Sequence, residues 1–386
     1  MSVNPQETQL ELADKRELSE SERLRYSRHI KLETFGLPAQ LKLKAAKVLI
    51  VGGGGLGNPI ALYLAGAGIG TIGVADFDQV SLSNLHRQVA FKTADVGQSK
   101  VDSLIAALKA INHEVTYVAH NLEIAAHNVE DLIRQYDLVI DGSDNFATRF
   151  LLADACYLQK IALLHGAVHE FQAQIALFAK DTACFRCLYR EPPGAEALPP
   201  CVEAGILNVV TGSTGLMMAT EAVKFLAGLY TPSLGSVLVY DALGQSLRAV
   251  ALSKDPECPL CGKVPTITGL SVSSVCSVEA TSDGRVSIEV AKRLLSDGAL
   301  LVDVRNPDEF SEGHIEGAIS IPLAALENGV SDELKAAELI VTYCKTGKRS
   351  ARAVDKLKAL GLERTYSITG GIEAWNVVKT EPARKH

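Results

Sequence analysis

The sequence predicts an α/β protein with two domains of unequal size. Apolar stretches of strand length alternate with helical stretches over residues 47–159, and a second series of this kind runs from residue 286 towards the C-terminus. Between the two series, residues 266–284 are rich in Ser, Thr and Val and lack an amphipathic period. A chain of 386 residues is also longer than one hydrophobic core usually needs. We therefore expect one domain over 1–265, a linker over 266–284 and a second domain over 285–386.

The first domain is predicted to contain a parallel or mixed sheet with helices on both faces. Residues 17–45 are predicted to be helical, because charged and apolar positions are interleaved there. The strand stretches that follow are almost entirely apolar, as is typical of strands buried on both faces. The predicted strands cover 47–51, 71–76 and 137–141, and the helices that follow them cover 58–65, 101–108 and 147–159.

The second domain is predicted to be a small α/β unit. It repeats the change between helical and strand periods, which again favours a sheet covered by helices. The predicted elements are a helix over 288–295, strands over 300–304 and 339–343, and a helix over 349–360.

Composition and charge exclude several classes of protein. The net charge of −7 and the pI of about 5.8 argue against a general nucleic-acid-binding or anionic-membrane surface, which needs clustered Lys and Arg. Residues 1–16 are polar and do not resemble a signal peptide, and no apolar run is long enough to cross a bilayer. We therefore expect a cytoplasmic protein. In that compartment its eight cysteines favour metal binding or thiol chemistry over disulfides.

A glycine-rich turn follows the first predicted strand. Residues 52–57 fit the pattern G-x-G-x-x-G between a strand and a helix, and Asp76 ends the next strand. Glycines such as Gly53 and Gly55 let the backbone approach a phosphate, and an acid at the end of the second strand can bond ribose hydroxyls. The motif predicts a Rossmann-like nucleotide-binding domain. Alone, it fits a dehydrogenase equally well.

Residues further along the chain favour a nucleoside triphosphate. The glycine turn contains no lysine to neutralise a triphosphate, so the cations must come from elsewhere, and Arg87 and Lys100 are the candidates. Asp144 follows the strand predicted over 137–141, where its carboxylate is placed to hold Mg²⁺.

With these residues the first domain resembles the superfamily of ubiquitin-activating enzymes in its bacterial-type form, the ThiF/MoeB family. These adenylyltransferases activate small ubiquitin-fold sulfur carriers in molybdopterin and thiamine biosynthesis. The resemblance rests on the runs 76–88, 97–100 and 141–145 and covers about residues 20–265. It implies ATP and Mg²⁺ contacts for Gly53, Gly55, Asp76, Asn84, Arg87, Lys100, Asp144 and Asn145.

The resemblance also assigns Arg28, in the run Arg25-Tyr-Ser-Arg28, to a neighbouring active site across a homodimer interface. Helical periodicity alone would place this arginine on a solvated helix face.

Four cysteines form two C-x-x-C pairs about 70 residues apart: Cys184, Cys187, Cys258 and Cys261. Two such pairs complete a tetrahedral thiolate shell suited to a structural Zn²⁺. The alternative is a redox dithiol, but neither pair starts a helix in a thioredoxin-like βαβ unit.

Cys201 lies in a separate loop over residues 198–205. The family resemblance implies that a cysteine here attacks the activated carboxylate or helps to release the product. From the residues alone, a loop thiol without a catalytic role is an equally good interpretation.

Cys344 ends a predicted strand and begins a loop that leads into a helix. Backbone N–H groups, the helix dipole, Lys345, Lys348 and Arg349 all favour a thiolate or persulfide anion there. A cysteine phosphatase would carry arginine six positions after the cysteine, whereas here Arg349 is at five and Ser350 at six. Together with residues 302–318, the loop resembles the rhodanese sulfurtransferase domain, over about residues 285–380.

Both halves together resemble fused adenylyltransferase–rhodanese proteins. The resemblance implies ATP-dependent adenylation of the C-terminal glycine of a small ubiquitin-like carrier that ends in Gly-Gly. A persulfide on Cys344, charged by thiosulfate or a cysteine desulfurase, then yields a thiocarboxylate for molybdopterin or a related sulfur cofactor. One alternative is activation of a ubiquitin-like protein for conjugation through a thioester on Cys201. A second is a zinc-stabilised adaptor without catalytic activity.

Overall fold

The computed structural model describes residues 17–192, 205–270, 284–296, 298–327, 331–337 and 339–380. The chain divides into two compact units, Met1–Leu270 and Ser271–His386. Most of the linker predicted over 266–284 lies outside the described residues. Within the described part of the chain, no helix is long and apolar enough to cross a membrane.

The first unit is built on one mixed eight-stranded sheet with the order β3-β2-β1-β4-β5-β6-β7-β8. Strands β1 to β5 pair in parallel, and β5 to β8 continue as antiparallel neighbours. The strands are β1 (Lys47–Val51), β2 (Thr71–Asp76), β3 (Thr116–Asn121), β4 (Leu138–Asp141), β5 (Ala162–His169), β6 (Gln172–Phe178), β7 (Ser236–Asp241) and β8 (Ser246–Ala251). The predicted α/β class with a mixed sheet is confirmed.

Nine helices of this unit lie within the described residues: α1 (Glu20–Arg25), α2 (Ser27–Ile30), α3 (Gly36–Ala45), α4 (Gly57–Ala67), α5 (Lys100–Ile111), α6 (Val129–Ile133), α7 (Phe146–Gln159), α8 (Phe185–Leu188) and α9 (Asn208–Ala227). Short 3₁₀ turns cover Leu82–Asn84 and Thr93–Asp95. The prediction of a helical region over 17–45 is wrong in one respect, because the structure has three separate helices there. Gly36, with φ of +62°, adopts the left-handed backbone that a continuous helix cannot accommodate.

The sheet topology brings the predicted nucleotide residues to one edge. Strand β1 lies between β2 and β4, and Val51 at its end pairs with Ala75 and Asp141. The order reverses at this point, since β2 and β3 extend to one side of β1 and β4 and β5 to the other. Such a switch point opens a crevice at the carboxyl ends of parallel strands, where ligands bind.

The second unit contains a five-stranded parallel sheet with the order β11-β10-β12-β13-β9. Its strands are β9 (Arg285–Val286), β10 (Leu300–Asp303), β11 (Ile319–Ser320), β12 (Ile340–Tyr343) and β13 (Thr365–Ile368). Its helices are α10 (Ile288–Ser296), α11 (Pro307–Glu312), α12 (Asp332–Ala336), α13 (Lys348–Ala359) and α14 (Gly371–Thr380), with a 3₁₀ turn at Ala325–Glu327. The four elements predicted here are all present, shifted by about one residue at their ends.

Candidate functional site

The glycine loop is held against the acid at the end of β2. The backbone N–H of Gly53 donates a hydrogen bond of 2.8 Å to Asp76 Oδ2, and the N–H of Asp78 donates one of 2.9 Å to Oδ1. Burial raises the pKa of Asp76 above its ordinary value, while the nearby Lys100 ammonium opposes that shift. The carboxyl group expected to bind ribose therefore lies beside the loop expected to bind phosphate.

The two predicted cations occupy different surroundings. Lys100 begins α5 with a buried side chain, and its Nζ lies 2.6 Å from Asp78 Oδ2. Arg87 passes beside Gly55, since a Cβ added to that glycine would lie 3.6 Å from Arg87 Cδ. Arg87 thus lies beside the glycine loop, and Lys100 forms an ion pair with Asp78, just after the end of β2.

The asparagines of the predicted site shape the backbone around it. Asn84 Oδ1 accepts a hydrogen bond of 3.2 Å from the N–H of Ser81. Asn145 caps α7, since its Oδ1 accepts a bond of 2.8 Å from the N–H of Thr148. Asp144, which directly precedes this cap, is exposed. Its carboxylate is therefore accessible at the N-terminal end of a helix.

The turn after β4 packs tightly against the glycine loop. Gly52 has φ of +90°, and a Cβ there would lie only 2.8 Å from the carbonyl oxygen of Gly142. This close approach requires glycine at position 52. As a result, the turn that carries Asp144 and the loop that begins at Gly52 form one continuous surface.

Three polar residues near this surface were not assigned from the sequence. Asp141 is fully buried at the end of β4, and His165 Nδ1 donates to its Oδ2 at 2.7 Å. Gln88 is also buried, close to Gly54, and its Oε1 has no hydrogen-bond partner in the described part of the chain. The sequence offered two signals for Asp141, its position at the end of an apolar strand and its place in the run 141–145, whereas the pairing with His165 needs the sheet register.

The structure does not bring the other two residues of the predicted catalytic set to this surface within its described part, for different reasons. Arg28 is exposed on α2, and the contacts of the described residues do not link it to the glycine loop of its own chain. Cys201 lies outside the described residues.

The four cysteines of the predicted metal site converge. Their sulfur atoms all lie within 4.8 Å of one another, with the Cys184–Cys258 pair at 3.5 Å and the Cys187–Cys261 pair at 3.2 Å. Sulfur atoms at the corners of a tetrahedron around Zn²⁺ are about 3.8 Å apart, given a Zn–S distance of about 2.3 Å. The cluster is therefore the right size for a four-thiolate metal ion.

Two of these sulfur atoms each accept a hydrogen bond from a backbone N–H group. The N–H of Asp255 points at Cys187 Sγ from 3.4 Å, and the N–H of Cys261 points at Cys258 Sγ from 3.5 Å. Burial raises the pKa of Cys184 and raises that of Cys261 to about 12. For Cys187 burial acts in the same direction, but hydrogen bonds, first that from the N–H of Asp255, hold its pKa below the ordinary value. A redox dithiol needs two sulfur atoms, whereas four converge here, and a bound cation would stabilise four thiolates together. The arrangement favours a metal site over a dithiol.

In the second unit, Cys344 lies at the end of β12 with only 1% of its surface exposed. Gly347 donates its N–H to Cys344 Sγ at 3.2 Å, and Ser350 Oγ donates at 3.6 Å. Burial alone raises the pKa of this thiol, but hydrogen bonds from Ser350 and from backbone N–H groups, including that of Thr346, hold it below its ordinary value. The loop therefore stabilises a sulfur anion, as the sequence predicted.

Arg349 is fixed at the rim of the loop by an acid from α11. Its two terminal nitrogens lie 2.6 and 2.7 Å from the two carboxylate oxygens of Glu309. The ion pair lowers the pKa of Glu309 to about 2. A two-point contact of this kind holds the guanidinium plane in one orientation.

Comparison with known proteins matches the two units separately. The ThiF family model matches residues 26–260, and the rhodanese-like domain model matches residues 287–377. The probable adenylyltransferase/sulfurtransferase MoeZ of Mycobacterium tuberculosis is 40% identical over 373 residues, covering 93% of this chain and 94% of the relative. The adenylyltransferase and sulfurtransferase MOCS3 of Sus scrofa is 38% identical over 398 residues, covering 94% of this chain and 88% of the relative.

Solved structures similar to the chain include the microcin C7 biosynthetic enzyme MccB in complex with N-formylated MccA. It has a TM-score of 0.56 and 26% identity, covering 62% of this chain and 75% of that one. Escherichia coli MccB with ATP has a TM-score of 0.55 and 22% identity, covering 67% and 82%, and this similarity concerns the fold alone.

Fold and site together define an adenylating α/β domain fused to a sulfurtransferase domain. The chain belongs to the ThiF family, and within it to the adenylyltransferase/sulfurtransferases that also carry a rhodanese-like domain. The resemblance stated from the sequence motifs is confirmed.

Proposed function

We propose that this protein adenylates the C-terminal glycine of a small ubiquitin-like sulfur carrier ending in Gly-Gly and then converts that carboxylate into a thiocarboxylate. One observation carries the proposal above all others. A single chain combines a glycine loop held to Asp76 with a buried Cys344 whose loop stabilises a sulfur anion. An activated carboxylate and a nucleophilic sulfur are the two reactants that thiocarboxylate formation requires.

The adenylation step uses the edge formed by β1, β2 and β4. The carrier's terminal carboxylate attacks the α-phosphorus of ATP, the bond to the β-phosphate oxygen breaks, and pyrophosphate leaves. In this proposal Asp76 bonds the ribose, and Arg87 and Lys100 compensate phosphate charge. The bond from Gly53 to Asp76 and the position of Arg87 beside Gly55 support these roles. Asp144 offers an exposed carboxylate that would hold Mg²⁺, and the bound ion would supply positive charge for the phosphates.

Lys100 would exchange its partner when ATP binds. In this structure its Nζ is paired with Asp78 Oδ2, which neutralises the ammonium charge. The pair lies close to Asp76 at the end of β2. A phosphate oxygen offers a more strongly charged partner to the same flexible side chain.

The sulfur step begins with a persulfide on Cys344, formed by transfer of sulfane sulfur from thiosulfate with loss of sulfite, or from a cysteine desulfurase. The terminal sulfur attacks the carbonyl carbon of the acyl-adenylate, and AMP leaves, giving an acyl disulfide. A thiolate then attacks Cys344 Sγ, which releases the thiocarboxylate and leaves a disulfide on the enzyme. Cys201 is our candidate for that thiolate, and an external dithiol would reduce the resulting disulfide.

Three further assignments complete the proposal. Zn²⁺ occupies the four-cysteine cluster, where it supplies structural cross-linking and keeps no open position for water. The protein acts in the cytoplasm as a homodimer in which Arg28 of one chain serves the neighbouring active site. The thiocarboxylate supplies sulfur for molybdopterin or a related sulfur cofactor.

One incubation tests the proposal directly. Purified protein, a carrier ending in Gly-Gly, ATP and thiosulfate are combined, and intact mass spectrometry follows replacement of one carrier oxygen by sulfur. We expect the mass change with ATP and none without it, or with a carrier lacking its last glycine. ATP–pyrophosphate exchange should require the carrier and should be lost in Asp144→Ala. Exchange that persists in this variant would disprove the assignment of Asp144.

A further inference from the structure

A buried hydrogen-bond network holds the turn that carries Asp144. Asp141 Oδ1 accepts bonds from the N–H and the hydroxyl of Ser143, at 3.0 and 2.6 Å. Arg149 on α7 donates to the carbonyl oxygen of Ser143 at 3.0 Å. The residue before Asp144 is therefore held through its N–H, its hydroxyl and its carbonyl group, and the residue after it caps α7.

His165 holds the second oxygen of the same carboxylate. It pairs directly with Asp141 across β4 and β5, and its Nδ1–H donates to Asp141 Oδ2 at 2.7 Å. Both side chains are almost fully buried, at 3% and 0% exposure. Burial would raise the pKa of Asp141, but the bonds from His165 and Ser143 and the charge of Arg149 reverse this, so the carboxylate stays ionised.

The ring of His165 packs against an aromatic residue of the first C-x-x-C pair. Phe185, which lies between Cys184 and Cys187, packs edge-on against it with ring centroids 5.0 Å apart. Phe150 of α7 contacts the other side of Phe185, also at 5.0 Å. The C-x-x-C turn thus inserts an aromatic side chain between the helix and the strand that support the Asp144 turn.

We infer that His165 is a positioning residue of the adenylation site, and that Phe185 holds His165 in place from the cysteine cluster. The inferred chain of contacts runs from Phe185 through His165 and Asp141 to the Asp144 turn. It rests on the proposed adenylation function, since it assigns a Mg²⁺-nucleotide role to that turn. Removing a group that hydrogen-bonds directly to a metal ligand lowers metal affinity about 10- to 100-fold. His165 acts on the Asp144 turn through Asp141 and Ser143, so we expect an effect at the low end of that range.

Two substitutions at His165 separate its hydrogen bond from its volume. His165→Asn keeps a donor near the position of Nδ1, whereas His165→Leu removes it and leaves Asp141 Oδ2 unpaired. In full-length protein, we expect Leu to raise the Mg²⁺ concentration for half-maximal binding of a fluorescent ATP analogue about tenfold. We expect His165→Asn to need a Mg²⁺ concentration much closer to that of the wild type. Phe185→Leu, which loosens the ring against His165, should give an intermediate increase.

His120→Leu is the matched control. His120 also lies on a strand of this sheet and forms a hydrogen bond through its ring, at 2.6 Å to the Tyr136 hydroxyl. Its loss should lower thermal stability without changing the Mg²⁺ dependence. An unchanged Mg²⁺ dependence in His165→Leu, equal losses in His165→Asn and His165→Leu, or an equal shift in the control would each overturn the inference. Nucleotide binding without any carrier-dependent exchange would instead disprove the proposed function alone.

Discussion

The Ser350 hydroxyl is a side-chain donor that stabilises the Cys344 thiolate. It donates to Cys344 Sγ at 3.6 Å and is hydrogen-bonded to the Ser367 hydroxyl at 2.7 Å. We predict that Ser350→Ala raises the pKa of Cys344, because a donor to the ionised form is lost. The pH midpoint for alkylation of Cys344, followed by mass spectrometry of its peptide, should move to higher pH. Ser311→Ala, at an exposed hydroxyl of α11, should leave the midpoint unchanged.

Glu309 makes the stability of the second unit depend on pH in the acidic range. Its pKa is lowered from 4.5 to about 2 by Arg349, so the ion pair stabilises the fold above pH 4.5. That contribution should decline as the pH falls below 4.5 and be lost below about 2. Both side chains are partly exposed, so the effect is modest and screened by salt.

The single tryptophan, Trp375, is buried in the second unit and reports its unfolding. We predict that denaturant unfolding followed by this fluorescence loses stability more steeply below pH 4.5 in the wild type than in Glu309→Gln. Glu316→Gln, at an exposed acid of the same unit, is the control and should keep the wild-type pH dependence. Equal slopes in wild type and Glu309→Gln would contradict the assigned pKa.

At the scale of elements, the short helix α8 connects the four-cysteine cluster to the core. Arg186 makes two hydrogen bonds, of 2.9 and 2.7 Å, to the Asp154 carboxylate on α7, and its guanidinium stacks on the Phe150 ring at 4.5 Å. Both charged groups are buried, so each depends on the other for compensation. Besides its two cysteines, the C-x-x-C turn therefore carries an aromatic and a charged side chain that pack against α7.

We predict that this anchoring requires the metal. Purified protein should contain about one zinc per chain, because one cluster of four thiolates forms one closed site. Cys258→Ser should lose the zinc and lower the free energy of unfolding of the first unit by several kcal/mol, measured by circular dichroism. Cys156→Ala removes a buried thiol outside the cluster and should retain the metal. Full zinc content in Cys258→Ser would rule out the cluster as the site.

Sequence patterns predicted the elements near the nucleotide site better than the rest of the sheet. Strands β1, β2 and β4 are short, apolar and followed by helices, so local periodicity identifies them. Strand β8 is mostly exposed, and β3 is only partly buried, so neither shows the apolar run that indicates a buried strand. Their positions follow from pairing with neighbours, which a single sequence does not encode locally.

The same distinction applies to the sites. Glycines, C-x-x-C pairs and the Cys344 loop are local patterns whose chemistry depends on neighbours in sequence. The network of Asp141 and His165 depends on sheet register, since the two residues are 24 positions apart and meet only across β4 and β5. Residues that support a site from another strand are therefore those that sequence reasoning leaves out.

For the whole molecule, the division into two compact units predicts that the two half-reactions can be separated by substitution. The described residues that we propose to act on ATP lie in the first unit, and the loop that we propose to hold the persulfide lies in the second. Cys344→Ser should abolish sulfur transfer from thiosulfate to cyanide and leave carrier-dependent ATP–pyrophosphate exchange within about twofold of wild type. Asp144→Asn should lower the exchange by about 100-fold or more and leave the transfer to cyanide intact.

Neither variant alone should produce a thiocarboxylate, because that product needs an acyl-adenylate and a persulfide together. Lys335→Gln, at an exposed position on α12, serves as the control and should retain both half-reactions and the complete reaction. If Cys344→Ser still forms thiocarboxylate from thiosulfate, sulfur reaches the adenylate without the rhodanese loop. If it also loses the exchange, the two units depend on each other already in the adenylation step. Separate loss of each half-reaction with joint loss of the product is the pattern that a two-step transfer through Cys344 requires.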